Sequence, residues 1–202
     1  FKLDRIAPAN NIDHRAHRSM GDVIATIELC KLVQQKTPDL WLHAINATKK
    51  MDVLKKADEL NVFCYGKYDR NREPDFSVYA FVGINNKMNN ELLVFNLDYD
   101  MNEYLDLDIE TMTKLIRKTD GPFKIIKANE SPILLPVEFA PLIKKEFKKE
   151  KLLQDSYFIK NNFNFRAQAI SALEKSAGQF PKGTILEKKI YDGFYGEEDK
   201  TL

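Results

Sequence analysis

The sequence predicts an α+β protein in which helix comes first, short strands interrupted by one short helix follow, and helix then returns. Three observations predict it. From Ser19 to Val33 apolar residues recur at helical spacing, at Val23, Ile24, Ile27, Cys30 and Leu32. From Val62 to Leu135 the text becomes β-branched and aromatic, in short runs bounded by Gly, Asn and Asp. After Pro141 the amphipathic helical spacing returns.

The totals set the frame. A chain of 202 residues suits one ordinary domain or two small ones, with 44% hydrophobic and 30% charged residues giving a globular composition. Lys and Arg number 31 against 30 Asp and Glu, leaving a net charge of +1. That balance neither supports nor excludes a nucleic-acid partner, because a basic stripe can hide in a neutral total. Cys30 and Cys64 each lie in an apolar run and read as buried, reduced thiols of a cytoplasmic protein. The spacing of Cys and His matches no zinc motif. No apolar stretch approaches the ~18 residues that a membrane span requires, and the start has no signal-peptide pattern. The chain opens on Phe1 rather than Met, so it reads as cut from something longer.

Residues 1–17 are polar and read as irregular, with Pro8, Asn10 and Asn11. Ser19 is then a fair N-cap, and Asp22 falls in the first helical turn, where a carboxylate suits the helix dipole. Pro38 ends or bends that helix. Residues 39–60 read as further helix through Leu40, Trp41, Ile45, Met51, Val53 and Leu54. Strands are expected at Val62–Tyr65, Phe76–Gly83 and Glu91–Leu97, with Asn85–Asn90 as a turn. Ile109–Lys118 reads as a short helix, and Phe123–Lys127 and Ile133–Leu135 as short strands, so the middle region suggests a small β-barrel or a curled sheet. Leu142–Lys151 and Phe165–Ala177 read as amphipathic helices, and the text shows no internal repeat.

The pair with chemical meaning is His17 and Asp22, a histidine at the mouth of a helix and an aspartate one turn inside it. That geometry can aim an imidazole and a carboxylate at one volume. A carboxylate is the ligand type Mg²⁺ prefers, and an imidazole with an ordinary pKa near ~6.5 can take a proton from an attacking water. Spacing alone favours a plainer reading, a surface His and a first-turn Asp. His14 is a competing candidate farther from the helix, and Asp4 and Asp13 read as solvated loop carboxylates.

The wider text resembles a known family. Ala16-His17-x4-Asp22-Val23-x-Ala25-Thr26 is similar to the third motif of the DEDD exonucleases that carry a histidine. Its surroundings resemble bacterial exonuclease I in particular: Phe1-Lys-Leu-Asp4, Ala9-Asn10-x-Ile12-x-His14 and Lys31-Leu-Val33. Farther on, Glu91-Leu-Leu-Val-Phe95-x-Leu97, Leu105-x-Leu107-Asp108-x-Glu110 and Phe123-Lys-Ile-Ile-Lys127-x-Asn129-x-Ser131-Pro132 look like that family's middle region. Ile190-Tyr-Asp-Gly-Phe194 matches its pattern beyond. The resemblance is collinear and covers nearly the whole chain.

The resemblance implies a parent enzyme that degrades single-stranded DNA from 3′ to 5′ into nucleoside 5′-monophosphates, using two Mg²⁺ ions, in DNA repair and recombination. It implies residues 1–37 as the tail of a ribonuclease-H-like exonuclease domain, 38–152 as an SH3-like β-barrel domain, and 153–202 as the start of an α-helical domain. His17 would be the general base and Asp22 a metal ligand. The remaining ligands would be an Asp-x-Glu and a middle Asp that precede this motif, so the chain by itself is expected to hold no metal pair and to be inactive.

Single strands are held by basic grooves with aromatic platforms. Tyr65, Tyr68, Arg70 and Arg72 are the candidates here, whereas Phe76, Tyr79 and Phe81 are expected to be core. Lys144, Lys145, Lys148, Lys149 and Lys151 read as a solvated face paired with Glu146 and Glu150. The family also implies binding of the acidic C-terminal tail of single-stranded-DNA-binding protein, near Trp41, His43, Lys49 and Lys50, by a parent that is a monomer. A family Tyr aligns with His43, so the sequence departs there. Two rival readings are a non-catalytic module that binds single-stranded nucleic acid or a protein tail, and a polymerase proofreading subunit. The second would not carry the middle-region text.

Overall fold

A computed structural model describes residues 2–13, 19–46, 48–67, 75–118, 120–142 and 148–176. Among these residues four helices come first: α1 (Leu3–Ala9), α2 (Ser19–Lys36), α3 (Pro38–Ile45) and α4 (Lys50–Leu60). The first departs from the irregular segment expected at the start. Pro8 is tolerated because it sits in the last turn of α1, so only one hydrogen bond is forfeited before the helix ends at Asn10. Pro38 begins α3 rather than only ending α2, in the first-turn position where its missing N–H costs nothing. The expected helix over 39–60 is two helices, broken at Asn46.

Four strands follow: β1 (Val62–Lys67), β2 (Asp75–Ile84), β3 (Glu91–Asn96) and, beyond the helix α5 (Ile109–Ile116), β4 (Phe123–Lys127). A two-residue strand β5 (Leu135–Pro136) pairs with β1, shorter than the expected strand at Ile133–Leu135. All pairings are antiparallel, in the single order β4-β3-β2-β1-β5. The chain ends its described part with α6 (Lys149–Asn161) and α7 (Phe163–Ser176).

Local chemistry closes each junction. Asn61, at φ 58°, caps α4, and its carbonyl accepts the N–H of Phe81 at 2.8 Å. At the β2–β3 turn the side-chain oxygen of buried Asn85 accepts from the N–H groups of Lys87 and Met88, while its amide donates to Glu91 at 2.8 Å. Asp108 caps α5 by accepting from Thr111 N–H at 2.8 Å.

The sheet has two covered faces. On one, Val53 and Ala57 of α4 meet Phe63, Tyr65, Tyr79, Phe81, Leu92, Val94 and Ile126. On the other, Met112 and Ile116 of α5, Leu152 and Ile159 of α6, and Phe165, Ala169, Ala172 and Leu173 of α7 meet Cys64, Val78, Ala80, Val82, Leu93 and Phe95. A β-bulge between Phe81 and Gly83 takes Val82 out of register. Arg166 of α7 donates its Nε–H to the Val82 carbonyl at 2.7 Å. α7 lies so close there that a Cβ on Gly83 would stand 2.9 Å from Ile170 Cδ1. The expected boundary between residues 152 and 153 falls inside α6, and both α6 and α7 share the core of the sheet.

Candidate active-site helix and nucleic-acid interface

Asp22 sits in the first turn of α2, as the spacing predicts. Its backbone carbonyl accepts from the Thr26 hydroxyl at 2.8 Å, and its side chain is half-buried. His14 and His17 lie outside the described residues. Among the described residues no group of three His, Cys, Asp or Glu side chains is placed to hold a metal ion. Asp22 therefore does not by itself fit a two-ion site, which needs several carboxylates around each pair of ions.

α2 is apolar on more than one side. Val23, Ile24 and Ile27 are exposed, Cys30 is half-buried rather than buried, and Ala25 is the buried residue of the helix. α2 packs against α1 and α3. Cys64, by contrast, is fully buried, and burial together with the Glu138 carboxylate pushes its thiol up to about 11.

The aromatic residues of the strands are placed differently from the expectation. Tyr65 was expected to stand out of the core, yet it is 9% exposed. Its ring meets the edge of Tyr79 at 6.2 Å between centroids, and Lys124 Nζ lies 5.9 Å from the Tyr65 centroid and 5.7 Å from that of Tyr79. Tyr79 and Phe81 are core as expected. Phe76 was expected to be core and is 53% exposed. It pairs across the strands with Gly66, whose missing Cβ leaves room for the Phe76 ring. Gly66 is visible in the sequence as a strand glycine that permits a close approach, but the strand register is what sets it opposite Phe76.

Phe76 borders a groove of about 640 Å³ between α2, α3 and the β1–β5 edge, lined by Val33, Trp41, Tyr65, Ile133 and Leu135 among others. Tyr68, Arg70 and Arg72 lie outside the described residues, as do Lys144 and Lys145. Lys149 bonds Glu138 at 3.0 Å, a partner outside its own helix, and Glu146, an expected partner of this face, lies outside the described residues.

His43 on α3 meets the Phe139 ring edge-on at 5.4 Å. Its backbone carbonyl accepts from Lys56 Nζ at 2.9 Å. Burial first, and the Lys56 charge second, hold the His43 imidazole below its usual pKa, against an opposing pull from Asp39. Burial also lowers the Lys56 ammonium.

No protein-family model matches the chain. Curated proteins do, over almost all of it. The chain is 28% identical to exodeoxyribonuclease I of Buchnera aphidicola (Acyrthosiphon pisum strain), covering 99% of this chain and 51% of that protein. It is 25% identical to the Haemophilus influenzae enzyme, covering 99% and 46%, and 24% identical to the Escherichia coli enzyme, covering 99% and 45%. Over almost its whole length the chain is similar to exodeoxyribonuclease I. It spans about half the length of these exodeoxyribonuclease I proteins.

The fold agrees. E. coli exonuclease I in complex with a dA16 oligonucleotide superposes with a TM-score of 0.74 at 20% identity, covering 100% of this chain and 46% of that one. The moderately thermophilic exonuclease I of Methylocaldum szegediense gives 0.73 at 18% identity, covering 100% and 44%. The shared part is an α+β body with one antiparallel sheet. Among the described residues no helix is long and apolar enough to cross a membrane.

Proposed function

We propose that this chain is part of a 3′→5′ exonuclease that hydrolyses single-stranded DNA to nucleoside 5′-monophosphates. The observation that carries the reading is the end-to-end likeness to exodeoxyribonuclease I, with Asp22 in the first turn of α2. In this reading residues 1–37 close an exonuclease domain, 38–152 form an SH3-like domain and 153–202 open a helical domain. His17 serves as general base and Asp22 as one ligand of a Mg²⁺ site completed by carboxylates outside these 202 residues. Mg²⁺ at such a site supplies charge neutralisation on the scissile phosphate. Tyr68, Arg70 and Arg72 contribute contacts to the strand, and the acidic tail of single-stranded-DNA-binding protein is a partner of the monomeric parent. A structure of exonuclease I with that protein supports the partner, and structures with dA16 and dT13 support the substrate.

The 202 residues by themselves are proposed to be inactive, since Asp22 is joined by no further pair of ligand side chains among the described residues. The test incubates the purified chain with Mg²⁺ and labelled single-stranded DNA, beside a protein extended upstream to include an Asp-x-Glu strand. The extended protein should digest the DNA, and the shorter chain should not. Digestion by the shorter chain that Asp22→Asn abolishes would overturn the proposed inactivity. An extended protein that binds but never cleaves would overturn the enzyme reading.

One observation favours a second reading, a non-catalytic module that binds single-stranded nucleic acid. The two core clusters around the sheet contain no residue from α1, α2 or α3. The body that begins at α4 therefore has a core of its own, and the same assay separates the two readings.

A further inference from the structure

We propose that α1, α2 and α3 form a stiff arm that swings as one unit against the sheet body, pivoting where α3 meets α4 and latched there by His43. This goes beyond the exonuclease reading and stands or falls apart from it. It concerns how the helix that bears Asp22 is placed relative to the strands.

Within itself the arm is stiff. Only Thr37 separates α2 from α3. Its hydroxyl donates to the Val33 carbonyl at 3.0 Å, and its own carbonyl accepts the Trp41 N–H at 3.0 Å, so the junction is bonded on both sides. α1 and α3 both pack on α2. Against the body the arm is weakly held. The two core clusters around the sheet contain no residue of α1–α3. Among the described residues of the arm only Ala7 and Ala25 are fully buried, while Leu40 and Trp41, beside the β1–β5 edge, stay half-buried. An alanine withdraws little apolar surface from water, and withdrawn apolar surface is what fixes one body on another. Two bodies without a large apolar interface move relative to each other by default.

The latch is local. His43 lies in the last turn of α3. Its backbone carbonyl accepts from Lys56 Nζ of α4 at 2.9 Å, and its ring meets that of Phe139 edge-on at 5.4 Å. Just beyond, the Thr48 carbonyl accepts from the Ser131 hydroxyl at 3.1 Å, which pins the connection between α3 and α4 to the body. The pinned connection is the pivot, and the His43 contacts beside it set the closed position. One hydrogen bond from a charged donor and one ring edge are a small barrier to release, so latched and open arms exchange.

The two cysteines allow a direct test on the full 202-residue chain. Cys30 on α2 is half-buried and Cys64 is fully buried, so a thiol-reactive spin label enters at Cys30. A second label at Lys87→Cys, on the exposed β2–β3 turn, gives an arm-to-body distance by pulsed electron spin resonance. Lys87→Cys combined with Glu103→Cys, in a Cys30→Ser background, gives a distance within the body. The expected result is one narrow peak for the body pair, and a main peak with a second, separate distance for the arm pair. Lys56→Met should raise the ratio of the second population to the first about tenfold and leave the body pair unchanged. Phe139→Leu should raise that ratio in the same direction.

A single narrow arm-to-body peak in both the parent and Lys56→Met overturns the arm. Equal broadening of the body pair in Lys56→Met assigns the effect to a loosened sheet and overturns the latch. A second population that appears together with a loss of helical far-UV signal shows the arm melting rather than swinging, and overturns the proposal as well. None of these outcomes bears on DNA cleavage, which the digestion assay tests separately.

Discussion

The ring of Phe76 occupies the space above the Cα of Gly66, its partner across the β1–β2 pair. A Cβ at residue 66 would collide with Cγ, Cδ1 and Cε1 of that ring. The obstruction is a side chain that is half-exposed, not backbone, so the ring can swing outward. Gly66→Ala should therefore change the unfolding free energy by less than about 1 kcal/mol while shifting the emission of Trp41, which lines the same groove. Urea unfolding and a fluorescence spectrum check this. A stability loss above about 3 kcal/mol, in the overpacking range, would show instead that the ring is locked in place.

Phe165 ties α7 to the sheet. Its fully buried ring meets Phe95 at 6.4 Å and stacks on Phe123 at 6.2 Å. Phe165→Ala should cost about 3–5 kcal/mol and lower the midpoint of one cooperative transition seen alike by far-UV and near-UV signals. Two separate transitions, with the sheet melting unchanged, would mean that α7 folds as a unit apart from it.

His43 makes stability depend on pH near neutrality. Burial, and Lys56 after it, depress its folded pKa below the ordinary 6.5, so between the two values the unfolded chain binds a proton that the folded chain refuses. This contribution is fully present above pH 6.5 and is lost as the pH falls from there towards the lower folded value. The fall in melting temperature from pH 7.5 to pH 5.5 should accordingly be smaller in His43→Gln than in the parent. Equal slopes would mean that Phe139 and Lys56 do not disfavour the charged ring.

Much of the architecture was legible along the chain. The runs at Val62, Phe76, Glu91 and Phe123 became β1 to β4, because near-continuous β-branched and aromatic runs suit a sheet covered on both faces. α5 begins just after Asp108, which caps it, whereas Ser19, expected as a cap, is itself the first residue of α2. Two helices were harder to read. α1 is short, polar and carries Pro8, so its period is hidden. The buried side of α6 includes Ser156 between Leu152 and Ile159, which breaks the apolar count while preserving the helical face.

By itself the sequence determined the kinds and order of the elements, the first-turn position of Asp22 and the likeness to exodeoxyribonuclease I, since each of these is written in local spacing or in collinear text. Tertiary structure decided which aromatic residues are available. Alternation assigns Tyr65 to one face of the sheet and Phe76 to the other, but it is silent on where each face is covered. α4 and its neighbours close the face at Tyr65, whereas Phe76 stands at the start of β2, exposed beside Gly66. Exposure belongs to what packs above a residue, and those neighbours arrive from distant parts of the chain.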